Sequence, residues 1–165
     1  DTDVMWLRNP FEKLSKNETE DLQISTDSYL GDPWSEKHEI NTGFFFVRSN
    51  NKTISLFETW YGKKDNSTGK KEQDVLLDLI RSGIIGQLGL KVRFLDTLYF
   101  SGFCQDSKNL RVVTTVHANC CRSIIAKVAD LKETLHVWKQ FRSLEVNSTT
   151  TIQWTRHDWC LNSWH

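Results

Sequence analysis

Asp1-Thr2-Asp3 stands directly ahead of the apolar run Val4-Met5-Trp6-Leu7. On a tight turn at a strand end, both carboxylates can aim at one point. Hard divalent cations take oxygen ligands, usually one or two carboxylates plus phosphate oxygens. The triplet is therefore a candidate seat for Mn²⁺ or Mg²⁺ carrying a diphosphate. Such triplets also occur in ordinary surface turns and helix N-termini, so the remaining chain has to decide. His117 follows the β-branched run Val112-Val113-Thr114-Thr115-Val116. A histidine there is either structural or, beside carboxylates from another strand end, a normal metal ligand. Asn41-Thr42-Gly43 opens a strongly apolar run, where Gly43 permits close backbone approach by a neighbouring strand or a ligand. Asn41 is a turn former or a ligand-facing donor. Glu72-Gln73-Asp74 opens a helical pattern, where acidic residues ordinarily act as dipole partners and caps.

The elements that must position these groups follow from periodicity. Asn9-Pro10-Phe11 reads as an N-cap and a Pro at the first helical position of a short turn. Residues 15–21 are polar and loop-like, and 22–25 alternate as a short strand. Gly31-Asp32-Pro33 is a turn, with Trp34 beside it as a lid or as plain packing. Residues 40–47, with Phe44-Phe45-Phe46-Val47, predict a strand buried on both faces of a parallel or mixed sheet. A helix over 53–62 is expected to turn Ile54, Phe57, Trp60 and Tyr61 inward. After a polar, basic loop over 65–71, a second helix over 72–82 buries Val75, Leu76, Leu79 and Ile80 and stops at Gly83. Residues 91–96 and 112–116 read as strands and Gly102 as a turn. A helix over 130–141 is expected to pack on Leu131, Leu135, Trp138 and Phe141. Residues 1–143 form the domain. Residues 144–165 form an irregular Trp-rich tail packed back on it.

Composition narrows the classes. The 165 residues carry a formal net charge of zero, with charges spread along the chain, so no electrostatic footprint for nucleic acid exists. No run of about 18 apolar residues is present to span a membrane. Seven Trp and nine Phe supply core area that the modest 38% hydrophobic content does not. Asn-x-Ser/Thr sequons at Asn17, Asn51, Asn66 and Asn147 favour a secretory-pathway lumen. Cys104, Cys120, Cys121 and Cys160 lack Cys-x-x-Cys spacing, which argues against structural zinc and leaves one or two disulfides or buried free thiols. A bridge from Cys104 to Cys120 or Cys121 is expected, tying the Gly102 loop to the segment after His117.

Taken in order, Asp-x-Asp, Asn-Thr-Gly, Glu-Gln-Asp and His-Ala-Asn resemble the nucleotide-diphospho-sugar transferase family of plants, GT-A-fold glycosyltransferases classed with retaining enzymes. The resemblance runs from Asp1 to about Phe141, with a further match around Trp154, Cys160 and Trp164. It implies an α/β fold: the C-terminal part of a Rossmann-like GT-A domain with a mixed sheet. The nucleotide-binding β-α-β half would then precede Asp1. A first residue other than Met agrees with a piece of a longer protein, carrying any membrane anchor upstream.

The resemblance also assigns roles. Asp1, Asp3 and His117 match the metal ligands, so Mn²⁺ or Mg²⁺ is the implied cofactor. Asn41, Thr42 and Gly43 match a segment lining the donor-sugar and acceptor cleft. Glu72, Gln73 and Asp74 resemble the Asp-Gln-Asp near the transferred sugar, with Glu72 longer by one methylene. Asn119 falls in the segment after the metal histidine and is counted with the substrate-binding residues. Lys127 matches a basic residue available to the diphosphate. Ser123 stands where relatives often carry Gly. The implied reaction moves a sugar from a UDP-sugar to a glycan or glycoprotein in the Golgi lumen. No residue stands out as a buried nucleophile. Gln73 is a poor one, so front-face transfer with Gln73 and Asn41 as positioning groups is favoured, and Asp74 is the alternative carboxylate. Without its first half, the chain alone is expected neither to transfer sugar nor to bind a UDP-sugar. A sugar-binding or scaffolding module without turnover has no need of the three metal ligands together. A metal-dependent hydrolase needs a water-activating base that the sequence does not offer.

Overall fold

The computed structural model describes residues 1–144 and 152–164, so the sequon at Asn147 lies outside the described residues. The elements in chain order are β1 (Val4–Trp6), β2 (Leu22–Ser28), β3 (Glu39–Val47), α1 (Asn51–Gly62), α2 (Glu72–Arg81), α3 (Ile84–Leu88), β4 (Val92–Phe94), β5 (Phe100–Gly102), β6 (Thr115–His117), α4 (Ile124–Ser143) and α5 (Asp158–Asn162). Short 3₁₀ turns at Pro10–Glu12 and Lys64–Asn66 complete the set. The chain divides into two units, Asp1–Lys13 with Thr97–His165, and Leu14–Asp96.

In the first unit the strand order is β1-β6-β5. β1 runs antiparallel to β6 and β5 parallel to it, a mixed sheet. Val113 and Val116 are buried with Trp138 of α4, and Leu7, Phe103, Phe141 and Trp154 pack around them. The Arg8 guanidinium lies 4.4 Å from the Trp138 ring centre and donates to the Leu110 carbonyl, which fastens the chain after β1 beside the chain before β6.

α4 differs from its expected outline. It begins at Ile124, where Ser123 caps it by accepting from the Ala126 amide, and its buried stripe is Ala126, Asp130, Thr134, Val137 and Trp138. Leu135, expected in the core, is exposed. Polar residues replace it because each has a buried partner: Asp130 accepts from the Cys160 amide, and Thr134 donates to the Asp130 carbonyl. The tail is less irregular than expected, since α5 lies within it. The Trp154 indole donates to the Ser107 carbonyl and the Trp164 indole to the Cys120 carbonyl, while Trp159 is exposed.

In the second unit the order is β3-β2-β4, again mixed, with β3 antiparallel and β4 parallel to β2. Leu22, Ile24, Ile40, Val92 and Phe94 meet Leu56 of α1 and Leu76, Leu79 and Ile80 of α2 in one core. β3 is an edge strand among the described strands, which corrects the expectation of burial on both faces: Phe45 is 37% exposed and Phe44 and Phe46 are half-buried. α1 is also turned from its expected face. Thr53 and Leu56 are buried, whereas Ile54 and Tyr61 are exposed. Thr53 sits inward because its hydroxyl closes the capping box with Asn50 and donates to the Arg48 carbonyl. Gly83 does end α2, with φ of 87°, but the chain resumes at once as α3, an element the sequence pattern does not mark.

The segment 15–21 is a loop, as expected, with Lys16 to Thr19 exposed, but its last two carboxylates are buried. The Glu20 side chain is fully buried and accepts two bonds from Arg93, at 2.8 and 2.7 Å. Asp21 accepts from Lys52, Asn50 and the Lys91 amide.

Candidate metal and sugar-transfer site

β1 and β6 join the two chain segments of the first unit. Val4 pairs with His117, and the Ala118 amide donates to the Asp3 carbonyl, so Asp1-Thr2-Asp3 turns beside the last residue of β6. His117 Nε2 lies 3.2 Å from Asp3 Oδ1 and 3.5 Å from Asp1 Oδ2. One ligand atom from each of the three residues falls within 4.8 Å of the others. Asp1 is exposed, whereas Asp3 and His117 are half-buried. From α4, Lys127 Nζ donates to Asp3 Oδ2 at 2.5 Å. Burial pushes the Asp3 carboxyl up. The Lys127 hydrogen bond and the charges of His117 and Lys127 outweigh it and hold the group below the ordinary carboxylate value. Asp3 is thus ionised at neutral pH.

The support beneath this cluster comes from the neighbouring turn. Gly102 pairs with His117 across the parallel β5/β6 ladder. A Cβ on Gly102 would stand 2.5 Å from Asn119 Oδ1, so the Asn119 side chain occupies the space that the glycine leaves open. Asn119 is buried, and its Oδ1 accepts from the Cys104 amide. Gly102 was expected to form a turn. It does so while closing β5, exchanging backbone hydrogen bonds with Gln105, and the Asn119 side chain takes the room it leaves. The Cys104–Cys120 disulfide then ties the same loop to the segment after His117, one of the two pairings expected. A second bridge, Cys121–Cys160, links that segment to α5, and no cysteine is free.

The remaining expected residues lie in the second unit. Register shifts twice between β2 and β3. Ile24 pairs with Phe45 while Ser25 pairs with Asn41, so Thr42, Gly43 and Phe44 stand outside the ladder. Ser25 Oγ donates to the carbonyls of Asn41 and Phe44 at the two ends of this bulge. Inside it, the Gly43 amide donates to Asn41 Oδ1 at 2.8 Å, and the Thr42 amide donates to Gln73 Oε1 at 3.1 Å. Thr42 Oγ1 also donates to Glu72 Oε1 at 3.3 Å. Asp74 accepts from the Lys71 amide at 2.9 Å, the helix-capping role ordinary for an acidic residue in a first turn. Asp27, which the sequence pattern does not single out, accepts from both Asn41 Nδ2 (2.6 Å) and Gln73 Nε2 (3.1 Å).

The family model described as nucleotide-diphospho-sugar transferase matches residues 1–131. The chain belongs to this family. Among curated proteins it is 55% identical over 166 residues to the Arabidopsis thaliana protein named Uncharacterized protein At1g28695, a match covering 100% of this chain and 47% of that protein. It is 37% identical over 156 residues to Uncharacterized protein At4g15970 of the same organism, covering 94% of this chain and 42% of that protein. The chain therefore spans about half the length of the curated relatives it matches. No solved structure matches.

Proposed function

We propose that the protein moves a sugar from a nucleotide-diphospho-sugar, specifically a UDP-sugar, to a hydroxyl of a glycan or glycoprotein, with retention at the anomeric carbon. The convergence of Asp1, Asp3 and His117 carries this reading. Two carboxylate oxygens and one imidazole nitrogen, with spacings of 3.2 and 3.5 Å from His117, suit Mn²⁺ or Mg²⁺ at ligand distances of about 2.0–2.2 Å. When bound, such an ion supplies Lewis-acid stabilisation of the departing diphosphate.

The chain's own residues hold and orient the reactants. Lys127, paired with Asp3, adds a positive charge for the diphosphate. In the front-face route the bond from the anomeric carbon to the diphosphate oxygen breaks, and the acceptor oxygen bonds on the same face. The hydroxyl proton passes to the leaving phosphate oxygen. Asn41, Thr42, Gly43 and Gln73 position the sugar, and the amide oxygens of Asn41 and Gln73 are already engaged by backbone N–H groups. Gln73 is therefore assigned to orientation rather than attack. Two disulfides and exposed sequons at Asn17, Asn51 and Asn66 support a secretory-pathway lumen, the Golgi.

The test uses the full-length protein with a series of UDP-sugars and Mn²⁺. Donor consumption that needs the ion, is lost with a chelator and yields a product of unchanged anomeric configuration supports the reading. An Mn²⁺-loaded protein that neither binds UDP nor consumes any donor overturns it.

A further inference from the structure

Two irregularities in neighbouring strands enclose one carboxylate. Besides the bulge at Thr42–Phe44, Thr26 pairs with Ile40 and Ser28 with Glu39, which leaves Asp27 as the extra residue of β2. An extra residue of this kind re-aims its side chain, and Asp27 turns to the two amides that close the facing bulge. The donor and acceptor pattern then has a single solution. The amides of Gly43 and Thr42 can only donate, so Asn41 Oδ1 and Gln73 Oε1 must face β3. Their nitrogens must in turn face position 27. Only an ionised carboxylate offers an acceptor to each of two N–H groups without a donor of its own.

We propose that Asp27 is a positioning residue for sugar transfer: it locks the side-chain amides of Asn41 and Gln73 in one sense and so fixes the Asn41-Thr42-Gly43 bulge against the sugar. The proposal rests on the sugar-transfer reading above. An amide free to turn over would set its NH₂ against the Gly43 or Thr42 N–H, which can only donate, and so loosen the bulge. Misplacement of a positioning group by about 1 Å costs about 10²-fold in rate.

The experiment exploits the pattern itself. In the full-length protein, Asp27→Asn leaves position 27 with one acceptor and one donor, so either Asn41 or Gln73 must turn its NH₂ against a backbone N–H. The double variant Asp27→Asn with Gln73→Glu moves the carboxylate to the other side of one bond and restores every donor–acceptor match. Asp27→Asn with Asn41→Asp does the same on the other side. The expected result is a fall in kcat of about 10²-fold for Asp27→Asn, with the donor KM and the melting temperature little changed. At least one double variant should be more active than either of its single variants. Unchanged kcat for Asp27→Asn overturns the proposal. So do double variants no better than their parents, which would place the needed charge at position 27 itself.

A readout without turnover separates this from the functional reading. Couplings across the hydrogen bonds, from the side-chain ¹⁵N of Asn41 and Gln73 to the ¹³C carboxyl of Asp27, should be present in the wild type. Their absence overturns the lock. If they are present in a protein that transfers no sugar, the transferase reading fails and the positioning role for transfer falls with it.

Discussion

Asp3 and His117, 114 positions apart in the chain, place a carboxylate oxygen 3.2 Å from an imidazole nitrogen at the junction of β1 and β6. The pairing of Val4 with His117 brings the turn at Asp1–Asp3 to the end of β6. The Lys127 ammonium holds the second Asp3 oxygen.

A cation bound to the folded state alone stabilises it by about 2.7 kcal/mol at a hundred times its dissociation constant. Mn²⁺ should therefore raise the melting temperature of the wild type by several degrees. His117→Ala should abolish most of that rise while leaving the metal-free melting temperature nearly unchanged. Thermal melts with and without Mn²⁺ measure both. An equal Mn²⁺ shift in the variant would remove His117 from the ligand set.

Acid stability rests on Glu20. The bond from Arg93 lowers its pKa, helped by Ser15 and by the charges of Arg93 and Arg48, and burial opposes them. A depressed folded-state pKa means that the unfolded chain takes up the proton first. The stabilisation is complete above the ordinary glutamate value of about 4.3 and is lost as pH falls through the lower folded value. Glu20→Gln should cost about 1.5–3 kcal/mol at pH 7 and flatten the loss of stability between neutral pH and pH 3. Urea titrations across that range test it, and parallel curves for the two proteins would refute the assignment.

The approach of Asp1, Asp3 and His117 was legible through the family resemblance, because the triplet by itself also suits a surface turn and the histidine a structural role. Asp27 was not. In sequence it is one polar residue after Leu22-Gln23-Ile24-Ser25, and only the register shift turns it toward Asn41 and Gln73. Phe44-Phe45-Phe46 misled for a related reason. Three aromatics in a row signal burial on both faces, but the strand lies at an edge and its bulge shifts the alternation. In α4, periodicity counts Leu135 as core and discounts Asp130 and Thr134, because it carries no information on buried hydrogen-bond partners. The pairing of four cysteines likewise depends on where α5 folds back, which no spacing rule supplies.

Cys121–Cys160 closes the longer of the two loops, with a sequence separation of 39 against 16 for Cys104–Cys120. By loop entropy the two are worth about 4 and about 3 kcal/mol. Replacing Cys121 and Cys160 together by Ser should lower stability by up to about 4 kcal/mol. It should also speed hydrogen exchange in α5, whose Cys160 amide is held by Asp130. Unchanged exchange in α5 would show that Asp130 and the tail indoles suffice without the bridge.

Gly102 and Asn119 form a coupled pair beside the Asp1, Asp3 and His117 cluster. A methyl group at position 102 meets Asn119 Oδ1, Nδ2 and Cγ at 2.5, 2.7 and 2.9 Å, distances that require the amide to move. Moving it breaks the bond from the Cys104 amide, in the loop tied by disulfide to Cys120. Gly102→Ala should therefore cost about 1–3 kcal/mol, the usual penalty for overpacking. Asn119→Ala should cost about 1–3 kcal/mol through the buried Cys104 amide left without its acceptor. The two penalties share one cause, so the double variant should be less destabilised than their sum by at least 0.5 kcal/mol or so. Urea denaturation of the four proteins closes the cycle. Because Gly102 pairs with His117, Gly102→Ala should also weaken Mn²⁺ binding, and the double variant should recover part of it. Strict additivity in stability, with Mn²⁺ affinity untouched in Gly102→Ala, would mean that the close approach of Asn119 to Gly102 supports neither the fold nor the cation site.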